Sequence, residues 1–128
     1  MAQLTRRSLL AGLVVSGFVP GQTSPAFGQQ QFEGVKRTRY KEFPSMIPGV
    51  AKIALREVEY QPGAKSSRTM PYTMVCECTA GVLHVTQGTM TTAINTGEFW
   101  TCHKGMEETV DNRGTVPAVM RVIELVPA

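Results

Sequence analysis

The chain has 128 residues, 42% of them hydrophobic and 18% charged, which leaves room for one domain and excludes a disordered tail or a fibrous repeat. Lys and Arg number 13 against 10 Asp and Glu, a net charge of +3. No nucleic-acid partner is expected at that charge, because phosphate backbones call for a strong basic footprint. The 12 Gly and 8 Pro favour turns and short strands over long helices.

Residues 1–28 read as an export signal rather than as part of the fold. Arg6 and Arg7 form a positive start, and the apolar run from Leu9 to Val19 follows. That run is too short to cross a bilayer, which takes about 20 residues, so no stable membrane span is expected once the signal is cleaved. Pro20 and Gly21 end it, and Ser24, Ala26 and Gly28 offer small residues to a peptidase, with cleavage expected within 26–30. Thr5-Arg6-Arg7-Ser8-Leu9-Leu10 resembles the twin-arginine export motif, with Leu in place of the familiar Phe and no following Lys. The resemblance implies a periplasmic or secreted protein that is translocated after folding. The signal carries two arginines and no acid, so the remaining chain is nearly neutral.

Residues 29–44 read as an N-terminal arm or linker, and residues 45–128 as the folded domain. GQQQFEG is polar, and Val35–Phe43 is an arm or edge strand carrying the basic run KRTRYK. Val50–Tyr60 alternates, with Ile53 and Leu55 on one face and Ala54, Val58 and Tyr60 on the other. Pro62-Gly63 marks a turn. Strands are then expected over Met74–Ala80, Val82–Gln87, Thr89–Asn95, Glu98–His103, Glu107–Asn112 and Ala118–Val126. No segment has the period of an amphipathic helix. About eight short strands predict an all-β sandwich or barrel.

The segment from Gly97 to Asn112, GEFWTCHKGMEETVDN, resembles the second conserved motif of the cupin family. Gly97, Gly105 and Asn112 match in type and spacing. His103 stands at the motif's Pro, and Glu108 stands where a metal-binding His is usual. Counting back from Gly81, the first motif's two His positions hold Arg68 and Met70, its Pro is Pro71, and its Glu position holds Met74. The resemblance covers roughly residues 45–126. It implies a cupin-like double-stranded β-helix, a jelly-roll barrel that forms a homodimer.

An arginine, two thioethers and one carboxylate do not make a site for Mn, Fe, Ni or Zn, which want N and O donors. The usual cupin metal is therefore not expected. Arg68 and Glu108 are expected to meet across the barrel mouth, with Tyr72 and His103 beside them as polar contacts for a small, anionic ligand. Met74, Cys76 and Cys78 share one strand face. With Met70 and Cys102 they form a soft sulfur set that suits Cu(I), or simply core. Three cysteines in an exported chain also allow a disulfide from Cys102 to Cys76 or Cys78. His84, alone on its strand, reads as a surface or satisfied residue.

Several readings stay open at this point. One is a metal-free small-molecule binder or accessory factor. A second is a small enzyme, an isomerase, lyase or oxygenase-like protein, with an altered metal site or with Glu108 as acid–base. A third is a copper-binding barrel. A filled interaction module that uses the KRTRYK arm is the fourth.

Overall fold

The computed structural model describes residues 31–128, and Phe32–Ala128 form one compact unit. The export signal and its cleavage region lie outside the described residues. The described chain is all strand and turn. In order the strands are β1 (Val35–Pro44), β2 (Val50–Tyr60), β3 (Lys65–Thr69), β4 (Thr73–Ala80), β5 (Val82–Gln87), β6 (Met90–Asn95), β7 (Phe99–Cys102), β8 (Glu107–Asp111) and β9 (Ala118–Pro127). They form two antiparallel sheets, β1-β2-β9-β4-β7 and β3-β8-β5-β6. The all-β jelly roll expected from the sequence is the architecture found.

Alternation decides what each strand buries. Along β2 the buried positions include Ala54, Arg56, Val58 and Tyr60, and along β9 they are Ala118, Met120, Val122 and Glu124. On β4 they are Met74, Cys76 and Cys78, and on β5 Leu83 and Val85. These faces meet in one core, to which a fully buried aliphatic side chain such as Leu83 contributes about 2 kcal/mol.

One strand was not expected. In β3 (KSSRT) the inner residues Ser66 and Arg68 are as polar as the outer Lys65, Ser67 and Thr69, so hydropathy carries no period to read. It forms because β8 supplies a full antiparallel partner, with Arg68 opposite Glu108 and Ser66 opposite Val110.

The basic run lies in β1, which among the described residues is an edge strand of the five-stranded sheet and pairs with β2 alone. A β-bulge falls between Arg39 and Lys41. Before it, Arg37 and Arg39 stand opposite the inward Val58 and Arg56; after it, Lys41 and Phe43 stand opposite Leu55 and Ile53. The extra residue, Tyr40, shifts the strand's phase by one.

Asn112 fastens the end of the barrel. Its Nδ2 donates to the carbonyls of Tyr60 (3.0 Å) and Val116 (2.8 Å), and its Oδ1 accepts from the Gly114 amide at 2.9 Å. A buried amide so used holds the β8–β9 connection against β2.

Candidate functional site

One end of the barrel interior is rich in guanidinium. Arg37 enters from β1, Arg56 from β2 and Arg68 from β3, and all three line one cavity of about 20 Å³. Tyr60, Ser66, Met70, Met74, Cys76, Glu108, Met120 and Val122 also line it. That volume suits a single water-sized group. The four positions that the cupin resemblance assigns to metal ligands, Arg68, Met70, Met74 and Glu108, are therefore brought to one place.

Charge dominates this cavity. Arg56 is 6% exposed and Glu124 1%. The Arg56 Nη2 lies 3.2 Å from Glu124 Oε1 and 3.1 Å from Oε2. Arg39 reaches the same carboxylate from the edge strand at 3.6 Å. The Arg56 Nε is buried and has no hydrogen-bond partner. Burial, with the charge of Arg68 second, pulls Arg37 down from 12.5 to about 10. Burial, then Arg56, lowers Arg68 as well. Desolvation pushes the Tyr60 hydroxyl up to about 12, so it stays neutral at ordinary pH, sharing a 2.7 Å hydrogen bond with Ser66.

Glu108, 5% exposed, is held rigidly. Its Oε2 accepts from Gln87 Nε2 at 2.9 Å and from Trp100 Nε1 at 3.1 Å. Gln87 is itself oriented by a 3.0 Å bond to the Thr101 carbonyl. Arg68 and Glu108 also border a second, open depression of about 340 Å³ with Ser67, Thr69, Thr86 and Thr109. The β3–β8 pair is thus the wall between the two spaces.

Tyr72 and His103 do not line either space. They sit in the β3–β4 and β7–β8 connections, which are tied by bonds from Met70 N to Met106 O (2.8 Å) and from Gly105 N to Met70 O (2.9 Å). Tyr72 packs against the core. His103 is exposed, its Nδ1 2.8 Å from the Lys104 carbonyl. His84 stands across from Asp111 and Ala93, half-buried, and its Nδ1 has no partner.

The cysteines are free thiols. Cys76 and Cys102 are inner-face neighbours on β4 and β7, and Met74 lies directly opposite Cys102. Interaction with the Cys102 thiol, and then burial, raises the Cys76 thiol's pKa. Cys78 lies further along the ladder, beside Glu98, with its Sγ 3.4 Å from the Ala80 and Gly81 carbonyls. Of the two pairings raised from the sequence, only Cys76 and Cys102 are side by side.

Among the described residues no three His, Cys, Asp or Glu side chains converge to hold a metal ion. Three guanidiniums around the ligand positions make the donor set a poor fit to a hard or borderline cation.

Arg37, Arg56 and Glu124 were not among the residues singled out from the sequence. The signal was parity. Arg56 shares a face with Ala54, Val58 and Tyr60, and Glu124 shares one with Met120 and Val122. A charge in the middle of an apolar face needs a buried partner, and each is the other's.

No family model and no curated protein matches the sequence. Solved structures do match. A cupin_2 domain of an XRE-family transcriptional regulator from Enterobacter cloacae superposes with a TM-score of 0.62 at 12% identity, covering 75% of this chain and 100% of that one. The cupin domain of Cnp3 from Schizosaccharomyces pombe gives 0.60 at 16% identity, covering 77% and 69%. A cupin domain from Bordetella pertussis gives 0.56 at 19% identity, covering 75% and 97%. The fold is that of the cupins.

Proposed function

We propose that this cupin-fold protein binds a small anion, a carboxylate or oxyanion head group, at the arginine-lined end of its barrel. The observation that carries the reading is the charge inventory. Arg37, Arg56 and Arg68 share one cavity with Glu108, while the other nearby carboxylate, Glu124, is engaged by Arg56 and Arg39. Three guanidiniums against two carboxylates leave a positive excess in a poorly solvated space, and an anion placed there relieves their mutual repulsion. The cavity holds one water-sized group, so what it admits is a single oxygen of the head group. The rigidly held Glu108 then sets the ligand's orientation and rejects anions that lack a donor facing it.

Calorimetric titration with acetate, oxalate, citrate, phosphate and sulfate tests this. At least one of these anions is expected to bind, and Arg68→Ala or Arg37→Ala is expected to weaken it at least about 10-fold, the loss of one charge-assisted hydrogen bond. Absence of binding by the whole panel, or affinity in both variants equal to that of the parent protein, sinks the reading.

Binding also has a definite pH dependence. A bound anion favours the charged form of Arg37 and so moves its pKa from about 10 back toward 12.5. Well below pH 10 the free and bound protein both carry that proton, so Arg37 itself adds no pH dependence there. Between pH 10 and 12.5 binding takes up a proton, and affinity falls as pH rises. Titrations at pH 10.5 in buffers of different ionisation enthalpy should report proton uptake, and Arg37→Ala should abolish it. Proton release would contradict the assignment.

A further inference from the structure

The barrel interior also carries sulfur in a pattern that anion binding does not use. Cys76, Met70, Met74 and Met120 line the inner cavity, and Cys102 sits beside Cys76. Met74 is the direct cross-strand partner of Cys102, which places their β carbons about 5 Å apart. Exposure of these five residues ranges from 1% at Cys76 to 9% at Met120, whereas Met46 and Met90 are 98% and 69% exposed. Met70, Met74, Cys76 and Met120 thus collect from β4, β9 and the end of β3 around a cavity that holds one water-sized group, and Cys102 of β7 stands beside Cys76 at its edge.

We propose that Cys76 and Cys102, with the thioether of Met74 as a third donor, form a binding site for a single Cu(I) ion. Thiolate and thioether select Cu(I) over harder ions. Cu(I) accepts a low coordination number, so two thiolates and one thioether complete its shell, and the lack of a third His, Cys, Asp or Glu is no obstacle. Binding forms two Cu–S bonds to thiolates and releases both thiol protons to solvent. The copper enters as Cu(I) and stays Cu(I), so no electron is transferred.

Groups of both signs surround the site. A bis-thiolate Cu(I) centre carries a net negative charge. Arg37, Arg56 and Arg68 line the cavity that Cys76 and Met74 border, while Glu108 and Glu124 disfavour the Cys76 thiolate, so the two Cu–S bonds must displace a firmly held proton. Cys78 is outside the cluster, because its Sγ points to the Ala80 and Gly81 carbonyls. The site borders the same cavity as the proposed anion site but uses different side chains, so each reading is tested with the other ligand left out.

The test is an anaerobic titration of reduced protein with Cu(I) against bicinchoninate as competing chelator, with X-ray absorption on the loaded protein. One equivalent is expected to bind, in a first shell made only of sulfur. Cys76→Ser and Cys102→Ser should each lower the affinity at least 100-fold, and Cys78→Ser should leave it unchanged. Met74→Leu, which conserves volume and so preserves the fold, should weaken binding about 10-fold. Far-UV circular dichroism of the metal-free variants identifies any that fail to fold. Should such a failure occur, the Met74→Leu and Cys78→Ser pair decides the case. No binding in competition, nitrogen or oxygen in the shell, or equal affinity in Met74→Leu and Cys78→Ser overturns the proposal.

Discussion

Replacing Glu124 with leucine is expected to cost about 3–5 kcal/mol of unfolding free energy, the penalty for leaving a buried charge without its counter-ion. Glu124 is 1% exposed, and both its oxygens lie within 3.2 Å of the Arg56 guanidinium. Removing it leaves Arg56 inside the barrel with its Nε already unpartnered, next to Arg37 and Arg68. Arg39 suffers less, because it keeps Glu42 at 2.6 Å on the surface. The double variant Arg56→Met/Glu124→Leu removes both charges and keeps the volume, so it should be more stable than Glu124→Leu by at least about 2 kcal/mol. Urea denaturation of the four proteins in the cycle measures the coupling. A Glu124→Leu protein within about 1 kcal/mol of the parent would show that the interior solvates Arg56 unaided.

Gly81→Ala is expected to cost about 2–5 kcal/mol, although the change adds one methyl group. Gly81 has φ +72°, a left-handed conformation that costs an L-residue about 1–2 kcal/mol. A Cβ there would also stand 2.9 Å from the Ala118 Cα, the Ala118 Cβ and the Pro117 carbonyl oxygen. Backbone cannot step aside as a flexible side chain can, so overpacking adds about 1–3 kcal/mol. Gly97 is the control. Its φ is +90° but nothing lies within 4 Å of its added Cβ, so Gly97→Ala should show the conformational cost alone, about 1–2 kcal/mol. Equal losses at the two glycines would mean that the contact with Ala118 is not a constraint.

The sequence made most of the fold legible because hydrophobic alternation and turn residues survive in eight of the nine strands. The motif residues do what their chemistry suggests. Gly97 and Gly105 both turn at φ +90°, and the buried Asn112 makes three hydrogen bonds. The lost strand, β3, was lost because Ser66 and Arg68 face inward while looking like surface. The site was legible only in part, for a related reason. Spacing from Gly81 and Gly97 brought Arg68, Met70, Met74 and Glu108 to attention, and these four line one cavity. Arg56 and Glu124 are 68 residues apart in the chain, so neither discloses its partner to a local reading. Nearness to the motifs in sequence was a poor guide for Tyr72 and His103, because each falls in a turn beyond the end of its strand.

The place of β9 has a bearing on how the molecule comes into being. It is the middle strand of its sheet, between β2 and β4, yet it is the last of the nine strands to leave the ribosome. Until it arrives β2 and β4 have no partner on that side, and the five-stranded sheet cannot close. Such non-local closure places folding in roughly the millisecond-to-second range. Glu124 arrives with β9, so Arg56 stays hydrated until that closing step. Burial of Arg56 and its pairing with Glu124 then become a single event.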